Sequence, residues 1–314
     1  MRRRDLLLAA PAAALARPAA KTGSAGGPAR LVRLYVRPAS EGAIDVKTFG
    51  VTLDKAPAKV VRVLTPEDPQ MILIALDLVG DLGAIEPAEQ ALNAELERLP
   101  ASTYVGLMRA QDGLTVLLDP TKDRTAASEA IRNLTISGRP GLLEALDPLE
   151  KLADAIARKA QVRLSILCIT DGSAADYRED FSNPVINSSD PHDLSRQFPE
   201  ALIQEKISKI QGTLATRQTP LHIVHIAYRG DRLNEAYQNG LEQITGRLSG
   251  TSALCRARAE IPEAIQRAVR AIVSEYAVIV AAPGGISPTP AVQVSIGDAP
   301  LGCRARINLQ EKRP

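Results

Sequence analysis

The chain has 314 residues, enough for one large α/β domain with small appendages. Lys and Arg number 38 against 36 Asp and Glu, a formal net charge of +2, so nothing electrostatic argues for nucleic acid. Trp is absent and Phe occurs only 3 times, which leaves the core to Leu, Ile, Val and Ala, and no stretch is long and apolar enough for a membrane span.

The first segment reads as an address rather than as fold. Arg2, Arg3 and Arg4 precede a short Leu/Ala run, and Ala14-Leu15-Ala16 supplies an A-x-A cleavage pattern. Residues 1–20 are expected to be an export signal, and Arg3-Arg4-Asp5-Leu6-Leu7 resembles the twin-arginine type. A basic tail is the competing reading. Cleavage after Ala16 removes three Arg and one Asp and takes the charge from +2 to about zero. The expected location is periplasmic or secreted.

Residues 21–68 read as a linker and a short β segment. Lys21 to Ala29 is rich in Gly, Ala and Ser. Leu31–Arg37, Val46–Leu53 and Lys59–Leu64 follow as short strands, too few for a core of their own. They are expected to pack with a terminal hairpin at Val292–Ile296 and Arg304–Leu309, inside a C-terminal segment 284–314.

Between these ends, residues 69–283 alternate strand and helix periods. Met71–Asp77 is an apolar run ending in Asp, the pattern of a strand buried on both faces. Glu86–Leu99 is a helix. Thr103–Arg109 and Leu114–Asp119 form a hairpin across Ala-Gln-Asp-Gly, and Thr125–Leu134 is helical. Leu142–Lys159 carries Leu142, Leu146, Leu149, Leu152 and Ile156 at helical spacing. Val162–Thr170 is a second buried strand ending at Asp171. Ser173–Pro199 is a long polar excursion. Then come helix Glu200–Thr216, strand Leu221–Ala227, helix Asp231–Leu248, strand Thr251–Ala257, helix Pro262–Tyr276 and strand Val278–Ala281. The expected fold is α/β: a doubly wound, mainly parallel six-stranded sheet with one antiparallel edge strand, and small β segments at both ends. Of the three cysteines, Cys168 lies in a buried strand, while Cys255 and Cys303 could pair in an exported chain.

Two buried strands ending in Asp77 and Asp171 place two carboxylates at one sheet edge. That arrangement suits a divalent cation, although an Asp after a strand is also a common helix cap. With MILIALD, the hairpin TYVGLMRAQDGLTVLLD, the loop-helix SGRPGLLEAL and ILCITDGSAAD, the chain resembles von Willebrand factor A domains, in particular exported bacterial ones. The resemblance implies a metal-ion-dependent adhesion site built from Asp-x-Ser-x-Ser, a Thr and a second Asp. Here the first Asp matches Asp77 and the last matches Asp171. The serine positions fall on Val79 and Asp81, and the Thr position falls on Pro140, or on Arg139 with a one-residue shift. All three hydroxyls are missing.

The resemblance therefore implies a degenerate site. Asp77, Asp81 and Asp171 are the candidate metal ligands, with weak Mg or Ca at most and otherwise no cofactor. If Arg139 points inward, its guanidinium could replace the cation. The expected partner-binding face is Asp77, Val79, Asp81, Arg139, Pro140, Asp171 and Ser173, and the expected partner is an unidentified protein. No catalytic constellation stands out among His192, His222 and His225, and no G-x-S-x-G, Walker or G-x-G-x-x-G loop occurs. The expectation is a non-catalytic interaction module. The alternatives are a phosphohydrolase-like enzyme using Asp77, with Asp81 completing D-x-x-x-D, and a structural subunit of an envelope assembly.

Overall fold

The structure is a computed structural model and describes residues 30–38, 44–136, 138–177, 200–297 and 299–310. The export signal at 1–20 and residues 178–199 of the polar excursion lie outside the described residues.

The chain first lays down four short strands, β1 (Leu31–Val36), β2 (Phe49–Leu53), β3 (Ala56–Pro57) and β4 (Lys59–Leu64). It then enters the alternating region. β5 is Gln70–Asp77, α1 Leu82–Arg98, β6 Thr103–Arg109, β7 Thr115–Thr121, α2 Arg124–Arg132, α3 Leu142–Lys159 and β8 Arg163–Thr170. After the excursion come α4 (Glu200–Leu214), β9 (Leu221–His225), α5 (Arg232–Arg247), β10 (Ser252–Leu254) and α6 (Ile261–Val273). β11 (Tyr276–Ala281), β12 (Val292–Ile296) and β13 (Ala299–Leu301) follow.

Six of these strands make one sheet in the order β10-β9-β8-β5-β6-β7. Every pairing in it is parallel except β6 with β7, so the antiparallel strand sits at an edge, as expected. β5 and β8 are central and apolar on both faces, because helices cover both. Alternate side chains of β5 divide between two cores. Ile72, Ile74 and Leu76 join Leu92 and Leu96 of α1 and Ile265 and Ile272 of α6. Leu73 and Ala75 join Leu146 and Leu149 of α3 and Tyr237 and Leu241 of α5. Helix starts follow local chemistry: the carboxylates of Asp81, Asp123 and Asp231 accept backbone N–H bonds at the first turns of α1, α2 and α5.

The terminal strands meet as expected. β2 pairs antiparallel with β12 from Leu53↔Val292 to Phe49↔Ile296. Val32, Leu34, Phe49, Val51, Val278, Val280, Val292 and Val294 share one small core. Three details differ from the sequence reading. First, β11 does not continue the large sheet to residue 283; it runs between β1 and β4 in a three-stranded sheet. Second, the ladder partners of β12 are β2 and β13, and residues 304–309 add only an isolated antiparallel bridge, Ala291↔Arg306, with Val292 N donating to Ala305 O at 2.9 Å. That later stretch lies beside Pro288–Val292, where Ile307 N donates to Pro290 O and Leu309 N to Pro288 O. The two prolines have no N–H to return, so a regular ladder cannot form. Third, Cys255 and Cys303 are free thiols packed in different cores, the first beside α6 and the second against the small lobe.

A buried polar layer joins the small lobe to the amino-terminal edge of the large sheet. The Arg163 guanidinium donates to the carbonyls of Val273 and Glu275 at 3.1 and 2.9 Å and to those of Pro66 and Asp68 at 2.8 and 3.4 Å. Glu275 accepts from Ser165 Oγ at 3.1 Å and lies 3.3 Å from His222 Nε2. Tyr35 Oη accepts the N–H of Leu164. This layer fixes the small lobe against the amino-terminal edge, and the loops that carry the candidate site lie at the opposite, carboxyl-terminal edge.

Candidate functional site

At that edge β5 and β8 run in register, with Asp77 opposite Thr170. The N–H of Asp171 donates to the carbonyl of Asp77 at 3.2 Å, so the two aspartates are neighbours as the sequence suggests. Their side chains have different surroundings.

Asp77 is fully buried. Its Oδ1 accepts the N–H of Gly141 at 2.9 Å, and its Oδ2 accepts the hydroxyl of Thr170 at 2.9 Å. Gly141 reaches it because the residue has no side chain: a Cβ there would stand 2.7 Å from the carbonyl oxygen of Ala110. The Thr170 oxygen in turn accepts the N–H of Gly172 at 2.9 Å. Burial pushes the Asp77 carboxyl up to about 7, and the nearby Asp171 adds to the rise, against the lowering effect of the two hydrogen bonds. Asp77 thus titrates near neutral pH.

Asp171 is also buried, but in a cradle of amides. Its Oδ1 accepts from Val79 N at 2.9 Å, and its Oδ2 accepts from Gly80 N at 2.6 Å and Asp81 N at 2.8 Å. Successive N–H groups converging on one carboxylate form an anion-binding nest. Gln111 holds this loop from below, donating from Nε2 to the carbonyl of Leu78 at 2.7 Å.

The remaining predicted site residues face elsewhere. The Asp81 carboxylate is engaged away from the pair: its Oδ1 caps α1 through Gly83 N at 3.0 Å and pairs with Arg258 at 3.1 Å. The guanidinium lies so close over Gly83 that a Cβ there would meet its carbon at 2.5 Å. Arg139 is exposed and donates its backbone N–H to Asp112 Oδ1 at 3.2 Å. Among the described residues, the groups bonded to the two aspartate side chains are backbone amides and the Thr170 hydroxyl. Ser173 is buried, and its N–H and hydroxyl both donate to Asp176 Oδ2. Of the expected partner face, only Val79, Asp81, Arg139 and Pro140 reach the surface at all.

Sequence reasoning missed Thr170, Gly141, Gly80 and Leu82. Thr170 was legible as the residue before Asp171, but it reads as the last member of an apolar run. Leu82 begins α1 beside the nest and is 69% exposed, the most exposed large apolar side chain described. His222 and His225 are both packed in the interior. His225 Nε2 lies 2.7 Å from the carbonyl of Gly172, an acceptor, so Nε2 carries the proton. Burial holds the His225 ring below its usual range and therefore neutral at physiological pH.

Residues 81–173 match the family model described as von Willebrand factor type A domain. No curated protein matches the chain. Among solved structures it is similar to the von Willebrand factor type A protein of Catenulispora acidiphila, at 14% identity over 89% of this chain and 72% of that one, with a TM-score of 0.44. It is also similar to the vWF domain of the type V pili tip protein Mfa5 of Porphyromonas gingivalis, at 14% identity over 67% and 96%, TM-score 0.42. A mutant of the PilB minor pilin of Streptococcus sanguinis is similar at 10% identity over 66% and 62%, TM-score 0.47. The family match runs from the cap of α1 through the Asp171 loop, across the centre of a six-stranded sheet of the expected topology, so that this part of the chain is similar to a von Willebrand factor type A domain.

Proposed function

We propose that the chain is a non-catalytic, exported interaction module that holds a protein partner at the carboxyl-terminal edge of its large sheet without a metal ion. The observation that carries this reading is the amide nest on Asp171, which satisfies the carboxylate with three N–H donors. Magnesium requires a near-octahedral set of oxygens. Val79 and Pro140 offer no side-chain oxygen, the Asp81 carboxylate is turned to Gly83 and Arg258, and Asp77 titrates near neutral pH. Among the described residues, no three His, Cys, Asp or Glu side chains are grouped to hold a metal. The donor set does not fit the family's cation.

With the carboxylates closed off, the rim that remains for a partner is Val79, Leu82, Arg139 and Pro140. Leu82 is the natural anchor, an exposed apolar side chain fixed on a capped helix start. The phosphohydrolase alternative needs Asp77 as an accessible nucleophile, and its complete burial disfavours that role. The test is a pull-down from an envelope fraction with the tagged chain. Partner recovery is expected to survive EDTA and to fall at least tenfold in Leu82→Asp, with the melting temperature unchanged. Loss of partner in EDTA, restored by magnesium, would show that a cation bridges the contact after all.

Export rests on residues 1–20. N-terminal sequencing of the protein recovered outside the cytoplasm should begin at Arg17. An intact Met1 end on a chain confined to the cytoplasm contradicts that part of the proposal.

A further inference from the structure

The other end of the molecule holds a cleft of a different kind. Where the small lobe meets the ends of α3 and α4, a cleft of about 850 Å³ opens to solvent. Arg30, Arg33, Arg62, Arg158 and Arg217 line it, with Asp154 as the single carboxylate. Arg217 already engages that carboxylate at 2.7 Å, so it adds no surplus charge. The other four guanidiniums meet no carboxylate among the described residues.

Their placement is structural, not incidental. Arg33 and Arg62 flank Ile279 in one cross-strand row of the β1-β11-β4 sheet, so both project from the same face. Arg33 spends its terminal nitrogens on the carbonyls of Val162 at 2.9 Å and Ala157 at 3.2 Å, which are neutral partners. Arg62 meets only the side-chain oxygen of Gln161. Arg158, in the last turn of α3, is exposed and makes no hydrogen bond or ion pair among the described residues. A walled concavity lined by one sign of charge focuses its field and raises the local concentration of the opposite ion. The planar guanidinium fork matches tetrahedral oxyanions in a bidentate manner.

We infer that this cleft binds a small soluble polyanion carrying two or more phosphate-like groups, independently of any partner at the opposite edge. A compound with a single anionic group reaches only one or two of the guanidiniums, so multiple charges are the distinguishing chemistry.

The probe is sodium tripolyphosphate, titrated calorimetrically into the full chain at fixed ionic strength, with inorganic phosphate as the comparison. Tripolyphosphate is expected to bind at least tenfold more tightly than phosphate and to raise the melting temperature. Arg62→Ala and Arg158→Ala should each weaken it by about tenfold, the loss of a charge-assisted contact. Both side chains are exposed, so both variants should melt like the parent; Arg62→Lys, which keeps the charge, should recover part of the affinity. Arg256→Ala, at the opposite edge, should change nothing. Equal affinity for phosphate and tripolyphosphate would mean an adventitious ion only, and would overturn the inference. So would unchanged affinity in both alanine variants, or no binding at all.

Discussion

Asp77→Asn is expected to stabilise the protein at pH 8 and to flatten the dependence of its melting temperature on pH. The sign follows from burial. In the unfolded chain the Asp77 carboxyl loses its proton near its ordinary value of 3.8, whereas in the fold it keeps the proton to about 7. Between those values the folded state binds more protons than the unfolded state, so stability falls as pH rises. The favourable contribution of the neutral acid is complete below the unfolded value and is lost as pH passes the folded value. A shift of roughly three units corresponds to about 4 kcal/mol at most. Asparagine has the shape of the neutral acid: its oxygen can accept from Gly141 N, and its amide can donate to the Thr170 oxygen. Thermal melts of parent and variant from pH 4 to pH 9 should converge at the acid end, separate between about pH 4 and pH 7, and keep a constant gap above neutrality. Parallel curves would show that Asp77 is ionised throughout, with a neutralising group beyond those described.

Why this site looks different from its sequence is a matter of what sequence can encode locally. Buried runs ending in aspartate are visible in MILIALD and ILCITD, because strands covered on both faces are apolar without alternation. Their adjacency follows from the topology of a doubly wound sheet. The nest on Asp171 is not visible, since it is made of backbone N–H groups aimed by the turn at Val79-Gly80-Asp81. Asp81 sits where a ligand would be, yet its side chain is drawn to the helix start and to Arg258, some 177 residues away in sequence. The same limit applied to β11. Val278–Ala281 announces a strand, but nothing within it says that it leaves the large sheet to run between β1 and β4, or that the strand starts at Tyr276. At the C-terminus, alternation in Arg304–Leu309 suggested a hairpin strand, and the controlling residues were the prolines of the neighbouring segment.

Arg163→Met is expected to be the most destabilising single change at the junction between the lobes. The parent side chain is 1% exposed and makes no ion pair with a carboxylate among the described residues; its two terminal nitrogens serve four carbonyls. Two of those carbonyls, Pro66 and Asp68, belong to the crossing from β4 into β5, and two, Val273 and Glu275, to the crossing from α6 into β11. One guanidinium therefore ties together both passages of the chain between the small lobe and the large sheet. Methionine preserves most of the apolar stem but supplies no donor, leaving buried acceptors unmet at about 1–3 kcal/mol each. Because the four acceptors share one donor group and can relax together, the costs should not add fully, and a loss of roughly 3–5 kcal/mol is expected. Arg163→Lys should recover only part of it, since an ammonium has three donors and no planar fork. Urea unfolding followed by circular dichroism measures the loss as a lower midpoint. An Arg163→Met midpoint within the scatter of the parent would show that the carbonyls find other donors, and that the two crossings hold their places without the guanidinium.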